Sequence, residues 1–131
     1  MSSAVVAELL EEGGVEVSAI DDRAAIVEAL QRANRDQPKQ AWTFFVNISE
    51  RRAPKLSVGL DGDRGVLTYW DGRTSYRPAN GSNTEPVDYW RGGHHAQLAE
   101  YKEISADQVL SALDEFLASR RQPTCVEWVA D

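Results

Sequence analysis

The sequence contains a single cysteine, Cys125, which excludes an intramolecular disulfide bond. This cysteine stands in a short β-prone run, Thr124–Trp128, and the context predicts a buried structural thiol. A nucleophilic thiol would instead need a nearby base, and His94 and His95 are the residues of that type. The acidic N-terminal stretch over residues 1–14 lacks the basic region of a signal peptide, so we expect a cytoplasmic protein.

Long hydrophobic runs and an excess of basic residues are also absent. No apolar stretch approaches the roughly 18 residues that a membrane-spanning helix needs, so we expect no membrane association. Lys and Arg together number 14 against 21 Asp and Glu, which gives a net charge of −7. Direct binding of nucleic acid requires a basic face and is not expected. The same net charge favours solubility and would suit a basic protein partner.

The length of 131 residues is sufficient for a single domain, residues 1–131, with a hydrophobic core. The stretch around which the chain is organised is Lys55–Tyr76, where alternating apolar residues are interrupted by turn residues. Turns are predicted at Asp61–Gly65 and, as a two-residue hairpin, at Asp71-Gly72. The strands predicted around these turns form an antiparallel meander of Leu56–Leu60, Val66–Trp70 and Arg73–Tyr76.

Two amphipathic helices are predicted outside this meander. The first, Asp22–Asn34, begins at acidic residues that can cap it, and its apolar residues recur at helical spacing. The second, Ser105–Ser119, opens with the capping box formed by Ser105 and Gln108. Because each helix has one apolar stripe, both are expected to pack on the same face of the sheet.

Further strands are predicted before and after the meander. Ala41–Ile48 carries apolar side chains on both faces, which is typical of a central strand. Val15–Ile20 alternates, and a hairpin through Gly13-Gly14 would pair it with Ala4–Leu10, itself either a strand or a turn of helix. The remaining segments are strands at Val87–Trp90 and Thr124–Trp128, a flexible turn at Arg91–His95 and an irregular arm at Ala96–Ile104. The sequence thus predicts an α+β fold, with a single antiparallel β-sheet of about six to seven strands in a meander and two helices packed on one face.

The two adjacent histidines, His94 and His95, are the obvious candidates for catalysis or metal binding. Neighbouring residues of a strand point to opposite faces, so the pair could not easily share one metal. No Cys-x-x-Cys or His-x-x-x-His spacing accompanies them. We therefore expect no enzymatic activity, no metal and no cofactor, and we interpret both histidines as structural or interface residues.

Three motifs of this chain resemble those of a bacterial family. They are a strand Asp63–Tyr69 with the sequence DRGVLTY, a turn Gly92–His95 with the sequence GGHH, and a C-terminal stretch Arg121–Trp128 of the form Arg-x-Pro-x-x-Val-x-Trp. Their order and spacing resemble Immunity protein family one of bacterial polymorphic-toxin systems. The resemblance covers roughly Val15 to Trp128 and is weakest over the N-terminal dozen residues.

The resemblance implies an antitoxin role without catalysis or cofactor. Proteins of this kind bind a cognate toxin protein domain, often of the deaminase or nuclease type, and block it inside the producing cell. The acidic composition agrees with this role, because a toxin that binds nucleic acid usually presents a basic surface, which an acidic inhibitor could cover. The resemblance implies no particular oligomeric state.

The toxin-binding surface is predicted on a turn-rich edge of the sheet. This edge joins loops and a strand whose acids could attract a basic toxin and whose aromatics could anchor an interface. Trp42 and Trp128, by contrast, lie in apolar alternation and are predicted to be core residues. The predicted partner-binding residues are Asp61, Asp63, Trp70, Asp71, Glu85, Asp88, Tyr89 and Trp90.

Two other functions are compatible with the sequence. The first is a small-ligand-binding or regulatory module that uses the concave face of the sheet, and a bound molecule in an apolar pocket would favour it. The second is an enzyme that uses His94 or His95, which would require a histidine facing a cleft beside an acidic residue.

Overall fold

The computed structural model describes residues 3–11 and 13–131. The helices of this part of the chain are α1 (Ser3–Leu10), α2 (Arg23–Asp36) and α3 (Ala106–Ser119). The strands are β1 (Gly14–Glu16), β2 (Gln40–Phe45), β3 (Lys55–Asp61), β4 (Arg64–Trp70), β5 (Ser75–Pro78), β6 (Val87–Arg91), β7 (His94–Leu98), β8 (Glu103–Ser105) and β9 (Trp128–Ala130). None of the helices described is long and apolar enough to cross a membrane.

The predicted α+β class is confirmed, but the sheet is larger than expected and curls into a half-barrel. Its strands follow the order β7-β6-β2-β3-β4-β5-β9, while β1 pairs with β2 and β8 pairs with β4. Most neighbours are antiparallel, although β1 and β6 both run parallel to β2. Strand β1 covers only the start of the predicted strand Val15–Ile20, and β9 meets the predicted strand Thr124–Trp128 only at Trp128. Strands β1, β8 and β9 have three residues each, too few for an alternating pattern to set their bounds.

The central meander is confirmed, with one correction to its second turn. Strands β3 and β4 pair continuously from Lys55↔Trp70 to Asp61↔Arg64. Trp70 then pairs with Ser75, so the connection has four residues instead of the two predicted at Asp71-Gly72. The reason is local, since the Asp71 carboxylate accepts hydrogen bonds from the N–H groups of Arg73 and Thr74 and holds a wider loop.

The predicted hairpin through Gly13-Gly14 is wrong. The segment before it is the helix α1, so it offers no strand for antiparallel pairing. Gly14 instead pairs with Thr43, and β1 joins the sheet parallel to β2. After β1 the chain turns into a short 3-10 helix over Val17–Ala19, which replaces half of the predicted strand Val15–Ile20.

Helices α2 and α3 begin where their capping residues predict. The Asp22 side chain accepts a hydrogen bond from the N–H of Ala25, and Ser105 accepts one from the N–H of Gln108. Both helices bury their apolar stripes in one core, to which α1 adds Val6. The fully buried residues of this core, from the two helices and the covered face of the sheet, include Ile26, Leu30, Val109, Leu113, Phe116, Phe44, Leu56, Val58, Leu60 and Leu67.

The chain near its C-terminus departs from the prediction. The final strand β9 begins at Trp128, whereas the prediction placed a strand over Thr124–Trp128. The N–H groups of Thr124 and Cys125 donate to the Glu115 carboxylate, so this segment is held by a helix and not by the sheet. Cys125 is consequently exposed, contrary to the predicted buried thiol. Trp128 is half-buried against the core, while Trp42 is buried as predicted.

The predicted flexible turn and irregular arm are largely replaced by a regular hairpin. Strands β6 and β7 pair from Val87↔Leu98 to Arg91↔His94, so both histidines belong to β7. Gly92 and Gly93 connect them with φ values of 55° and 84°, as a type I′ turn requires at both central positions. This hairpin folds over the face of the sheet that the helices leave uncovered, and it shapes the site described next.

Candidate partner-binding site

The predicted site residues do not form one continuous edge. Asp61 and Asp63 lie at the turn between β3 and β4, whereas Trp70 and Asp71 lie at the far end of β4. Strand β4 has seven residues, which at about 3.3 Å per residue places roughly 20 Å between its ends. The structure therefore divides the predicted surface into two groups.

The group at the far end of β4 is engaged in local hydrogen bonds. Trp70 is half-buried, and its indole Nε1 donates to the carbonyl oxygen of Arg51 over 3.2 Å. The Asp71 carboxylate accepts from the N–H groups of Thr74 and Arg73 and from the hydroxyl of Tyr76. The N–H of Thr74 is the largest cause of the lowered pKa of Asp71. We infer that the Asp71 carboxylate mainly stabilises the conformation of its own loop.

The group at the other end of β4 is joined by backbone hydrogen bonds to the β6–β7 hairpin. The N–H of Lys39 donates to the carbonyl oxygen of Leu60, and the carbonyl oxygen of Lys39 accepts the N–H of Trp90, each over 2.8 Å. Trp90 thus lies at the same end of the sheet as Asp61 and Asp63. Asp63 is exposed and Asp61 is partly exposed.

The outward face of the β6–β7 hairpin carries a cluster that we call the outer cluster, consisting of Asp88, Trp90, His95 and Gln97. These residues share a face because Asp88 pairs with Gln97 and Trp90 pairs with His95. The His95 Nε2 lies 2.8 Å from Oδ1 of Asp88 and holds the pKa of that carboxyl below its usual value. The rings of Trp90 and His95 have centroids 5.1 Å apart, and Trp90 is 36% exposed. The outer cluster therefore offers an aromatic surface beside a stable negative charge.

Tyr89 does not belong to the exposed surface, although the sequence placed it there. It points to the inward face of the hairpin, where it is 1% exposed and packs on Gly59. Its hydroxyl donates to Oε2 of Glu103 over 2.9 Å, and burial is the main reason why its pKa is raised. Tyr89 supports the hairpin from inside, lines the cleft beneath it and adds almost nothing to the outward surface.

The loop between β5 and β6, which holds Glu85, is fastened by the buried side chain of Asn83. Its amide nitrogen donates to the carbonyl oxygens of Glu85 and Ala99. Its amide oxygen accepts the N–H groups of Lys102 and Glu103. All the amide's hydrogen-bonding groups thereby hold this loop against the segment before α3, while the Glu85 side chain stays exposed.

Between the inward face of the β6–β7 hairpin and the uncovered face of the sheet lies a cleft of about 390 Å³, called here the sheet cleft. Its polar side chains come from both walls, and those most relevant to binding are Thr43, Lys55, Ser57, Thr68, Arg91 and His94. Of these residues, sequence reasoning singled out His94 alone, and it named the concave face of the sheet as a ligand site in an alternative function without assigning residues to it. Period-2 alternation puts Thr43, Ser57 and Thr68 on one face, but the cleft arises only when the distant hairpin folds over them.

The two histidines separate as the strand geometry predicts. His94 pairs with Arg91 on the cleft side of the hairpin, while the ring of His95 packs against Trp90 in the outer cluster, with the two ring planes tilted by 41°. Among residues 3–11 and 13–131, no group of three or more His, Cys, Asp or Glu side chains could hold a metal ion.

The fold and these two surfaces have the features of a small α+β domain that binds a partner through exposed aromatic and charged side chains. The family model of immunity protein Imm1 matches residues 11–130, nearly the whole chain. The chain therefore belongs to the Imm1 immunity protein family, and the resemblance seen in its motifs is confirmed. No curated protein matches the chain.

Proposed function

We propose that this protein is an immunity protein that binds and inhibits a cognate secreted polymorphic toxin in the cytoplasm of the bacterium that makes both. The observation that carries the proposal is the Imm1 family match over residues 11–130. In this role the chain acts by binding alone, without catalysis and without a cofactor. The partner is a toxin protein domain of the deaminase or nuclease type, and the immunity protein itself contacts neither nucleic acid nor membrane.

For the contact surface we propose the end of the sheet that carries the outer cluster together with Asp61 and Asp63. Acidic side chains there would attract the basic surface of a toxin that handles nucleic acid. Trp90 would serve as the aromatic anchor, since partly exposed tryptophan is typical of binding hot spots. Glu85 would contribute at the rim, whereas Trp70 and Asp71 would form a second, separate contact if the toxin is large enough to reach them.

The first test is whether the protein captures and neutralises the toxin domain encoded beside it. Co-expression should rescue cells from that toxin, and the two chains should co-purify as a complex. A toxin that stays free and fully active in the presence of excess folded protein would refute the proposed function.

The second test locates the surface by association kinetics. Asp61→Asn combined with Asp63→Asn should slow association at low salt and have little effect at high salt, because these charges steer the encounter. The matched control, Asp21→Asn with Glu127→Gln, removes two exposed charges elsewhere and should leave the rate unchanged. Asp71→Asn should also leave association unchanged if its carboxylate mainly shapes its loop.

A third measurement isolates the aromatic anchor. Trp90→Ala should mainly speed dissociation of the complex, because a contact made in the final complex is lost while steering charges remain. Melting curves of the free variant must match those of the original protein for this result to count. A folded Trp90→Ala variant with unchanged dissociation would place the anchor elsewhere.

A small-ligand-binding or regulatory module is the second candidate function. It is favoured by the sheet cleft, whose volume of about 390 Å³ falls within the roughly 300–1,000 Å³ of typical ligand sites. Native mass spectrometry of protein isolated from its own bacterium tests this candidate. A stoichiometric small molecule lost on Ser57→Phe substitution would support it, and ligand-free protein would count against it.

A further inference from the structure

The sheet cleft has a charge opposite to that of the whole protein. Two cationic side chains, Lys55 and Arg91, line it together with His94. None of the described residues that line it is Asp or Glu, although the chain as a whole carries a net charge of −7. Cations collected in a concave site attract an anionic group, and the low-dielectric walls strengthen that attraction.

A row of hydroxyl groups runs across the floor of the cleft. The Arg91 Nη1 donates to Oγ1 of Thr43 over 2.8 Å, and this oxygen lies 2.9 Å from Oγ of Ser57. Ser57 in turn pairs across the strands with Thr68. Because the guanidinium can only donate, the Thr43 hydroxyl is free to donate its proton to Ser57, and Ser57 can then donate into the cleft.

The two cations are held in place by neighbouring side chains. The Lys55 ammonium lies 5.7 Å from the centroid of the Phe45 ring, within the range of a cation–π contact. Arg91 is fixed by its bond to the buried Thr43 hydroxyl, and within residues 3–11 and 13–131 its guanidinium makes no other side-chain hydrogen bond. Since Lys55 and Ser57 are two residues apart on β3, the ammonium and the hydroxyl row lie on the same face of the sheet.

We propose that the sheet cleft receives an acidic, extended segment of the toxin, whose carboxylates bind between Lys55 and Arg91 and accept from the hydroxyl row. This inference rests on the proposed function and adds a second contact of opposite polarity to the acidic outer surface. A carboxylate fits the site because it can accept a bidentate bond from arginine together with hydroxyl donors. Two surfaces of opposite sign would also fix the orientation of the toxin on the immunity protein.

The experiment compares three forms of the protein against the same toxin domain by biolayer interferometry. Lys55→Gln combined with Arg91→Gln should weaken binding at least about tenfold, mainly through faster dissociation, because the toxin carboxylates lose buried partners. The matched control, Arg35→Gln with Arg121→Gln, removes the same number of exposed positive charges outside the cleft and should bind within about twofold of the original protein.

The outcomes separate this inference from the proposed function. If the original protein does not bind the toxin, the proposed function fails. If the original protein binds and the cleft variant binds as tightly as the control, the proposed function stands and the inference is overturned. Lys55→Gln alone serves as a further test should the double variant unfold, because Lys55 makes no hydrogen bond to the hydroxyl row.

The chemistry of the occupant is tested from the side of the toxin. Each Asp of the toxin is changed in turn to Asn and each Glu to Gln. At one or two positions the change should weaken binding to the original protein but should not weaken binding to the cleft variant, which already lacks the cationic partners. A second measurement adds inorganic phosphate to the original protein and follows its melting temperature. Strong stabilisation by phosphate, combined with unchanged toxin binding by the cleft variant, would assign the cleft to a free anion and overturn the toxin-segment assignment.

Discussion

The two faces of the central sheet are built from the same strands and differ in almost every physical property. The face under α2 and α3 is aliphatic and aromatic, with Phe44 and Leu56 fully buried. The other face carries hydroxyls and a cation between the smaller apolar residues Ala41 and Val66, and a hairpin covers only part of it. Alternation along β2 and β3 generates both, since successive side chains point in opposite directions. The comparison teaches that the first face stabilises the fold, while the second is free to bind.

The largest expected effect on stability comes from a substitution in the core between the helices and the sheet. Leu113→Ala removes a fully buried side chain from α3 and should lower the free energy of unfolding by about 2–5 kcal/mol, through lost burial and the cavity left behind. Urea denaturation measures the change. Ile48→Ala, at a position that is 56% exposed, is the control and should cost less than about 0.5 kcal/mol. Equal losses in the two variants would show that Leu113 is not a core residue.

A smaller loss of stability is expected from a substitution where the β6–β7 hairpin contacts the face of the sheet that the helices leave uncovered. A Cβ at Gly59 would lie 2.8 Å from the Tyr89 ring and 2.9 Å from Cγ2 of Val66. Gly59→Val should therefore overpack this contact and destabilise the protein by about 1–3 kcal/mol. Ser57→Val, on the same face of the same strand without the aromatic contact, provides the comparison. A Gly59→Val variant as stable as Ser57→Val would mean that the hairpin does not depend on the contact between Tyr89 and Gly59.

The buried hydrogen bond behind the hairpin predicts a dependence on pH. Tyr89→Phe leaves Oε2 of Glu103 without its donor and should cost about 1–3 kcal/mol near neutral pH. Burial raises the pKa of Tyr89 in the folded protein, so its stabilising effect is complete below the unfolded pKa of about 10 and declines as the pH rises further. The difference in stability between the two proteins should consequently shrink from pH 9 to pH 11.

This prediction is measured by urea denaturation at several pH values. Glu103→Gln, which keeps a hydrogen-bond acceptor for the Tyr89 hydroxyl, serves as the companion variant. A gap between Tyr89→Phe and the original protein that stays constant or widens above pH 10 would contradict the assignment of Tyr89 as a buried, neutral donor.

The smallest effect on stability is expected on the floor of the sheet cleft. Thr43→Val combined with Ser57→Ala removes both partners of a hydroxyl pair and should change the free energy of unfolding by less than about 1 kcal/mol. Neither hydroxyl is left unpaired, and the exposed Arg91, which loses Thr43 as its acceptor, can donate to water instead. Thermal and urea unfolding provide the check. A loss of stability as large as that of Leu113→Ala would show that both faces of the sheet stabilise the fold and would contradict the difference between them.

Features encoded by local sequence could be predicted, whereas those made by distant segments could not. The caps at Asp22 and Ser105 and the apolar stripes behind them located α2 and α3. The parallel pairing of β1 with β2 was missed because alternation gives the faces of a strand and not the direction of its neighbour.

The candidate site was predicted only in part for the same reason. Trp90 and Tyr89 are adjacent and look equally suitable as interface aromatics. They differ in role because successive residues of β6 point to opposite faces. Tyr89 points inward and packs on Gly59, thirty positions earlier in the chain, while Trp90 points outward. The sheet cleft depends on that same long-range contact, so no local pattern indicates it. Asp71 is an exception, since its bonds to Arg73, Thr74 and Tyr76 are local. They were missed because a two-residue turn was predicted at Asp71-Gly72 in place of the four-residue loop.

The β6–β7 hairpin has a consequence for how such a protein could diverge. Its inward residues, Tyr89 among them, hold it to the sheet, while alternate residues such as Trp90 and His95 lie on the outward face, where Trp90 is 36% exposed and its ring lies against that of His95. Substitutions at the outward positions can therefore accumulate without loss of the fold. A lineage could in this way change which toxin it recognises by single neutral steps, because the two sets of positions mutate almost independently.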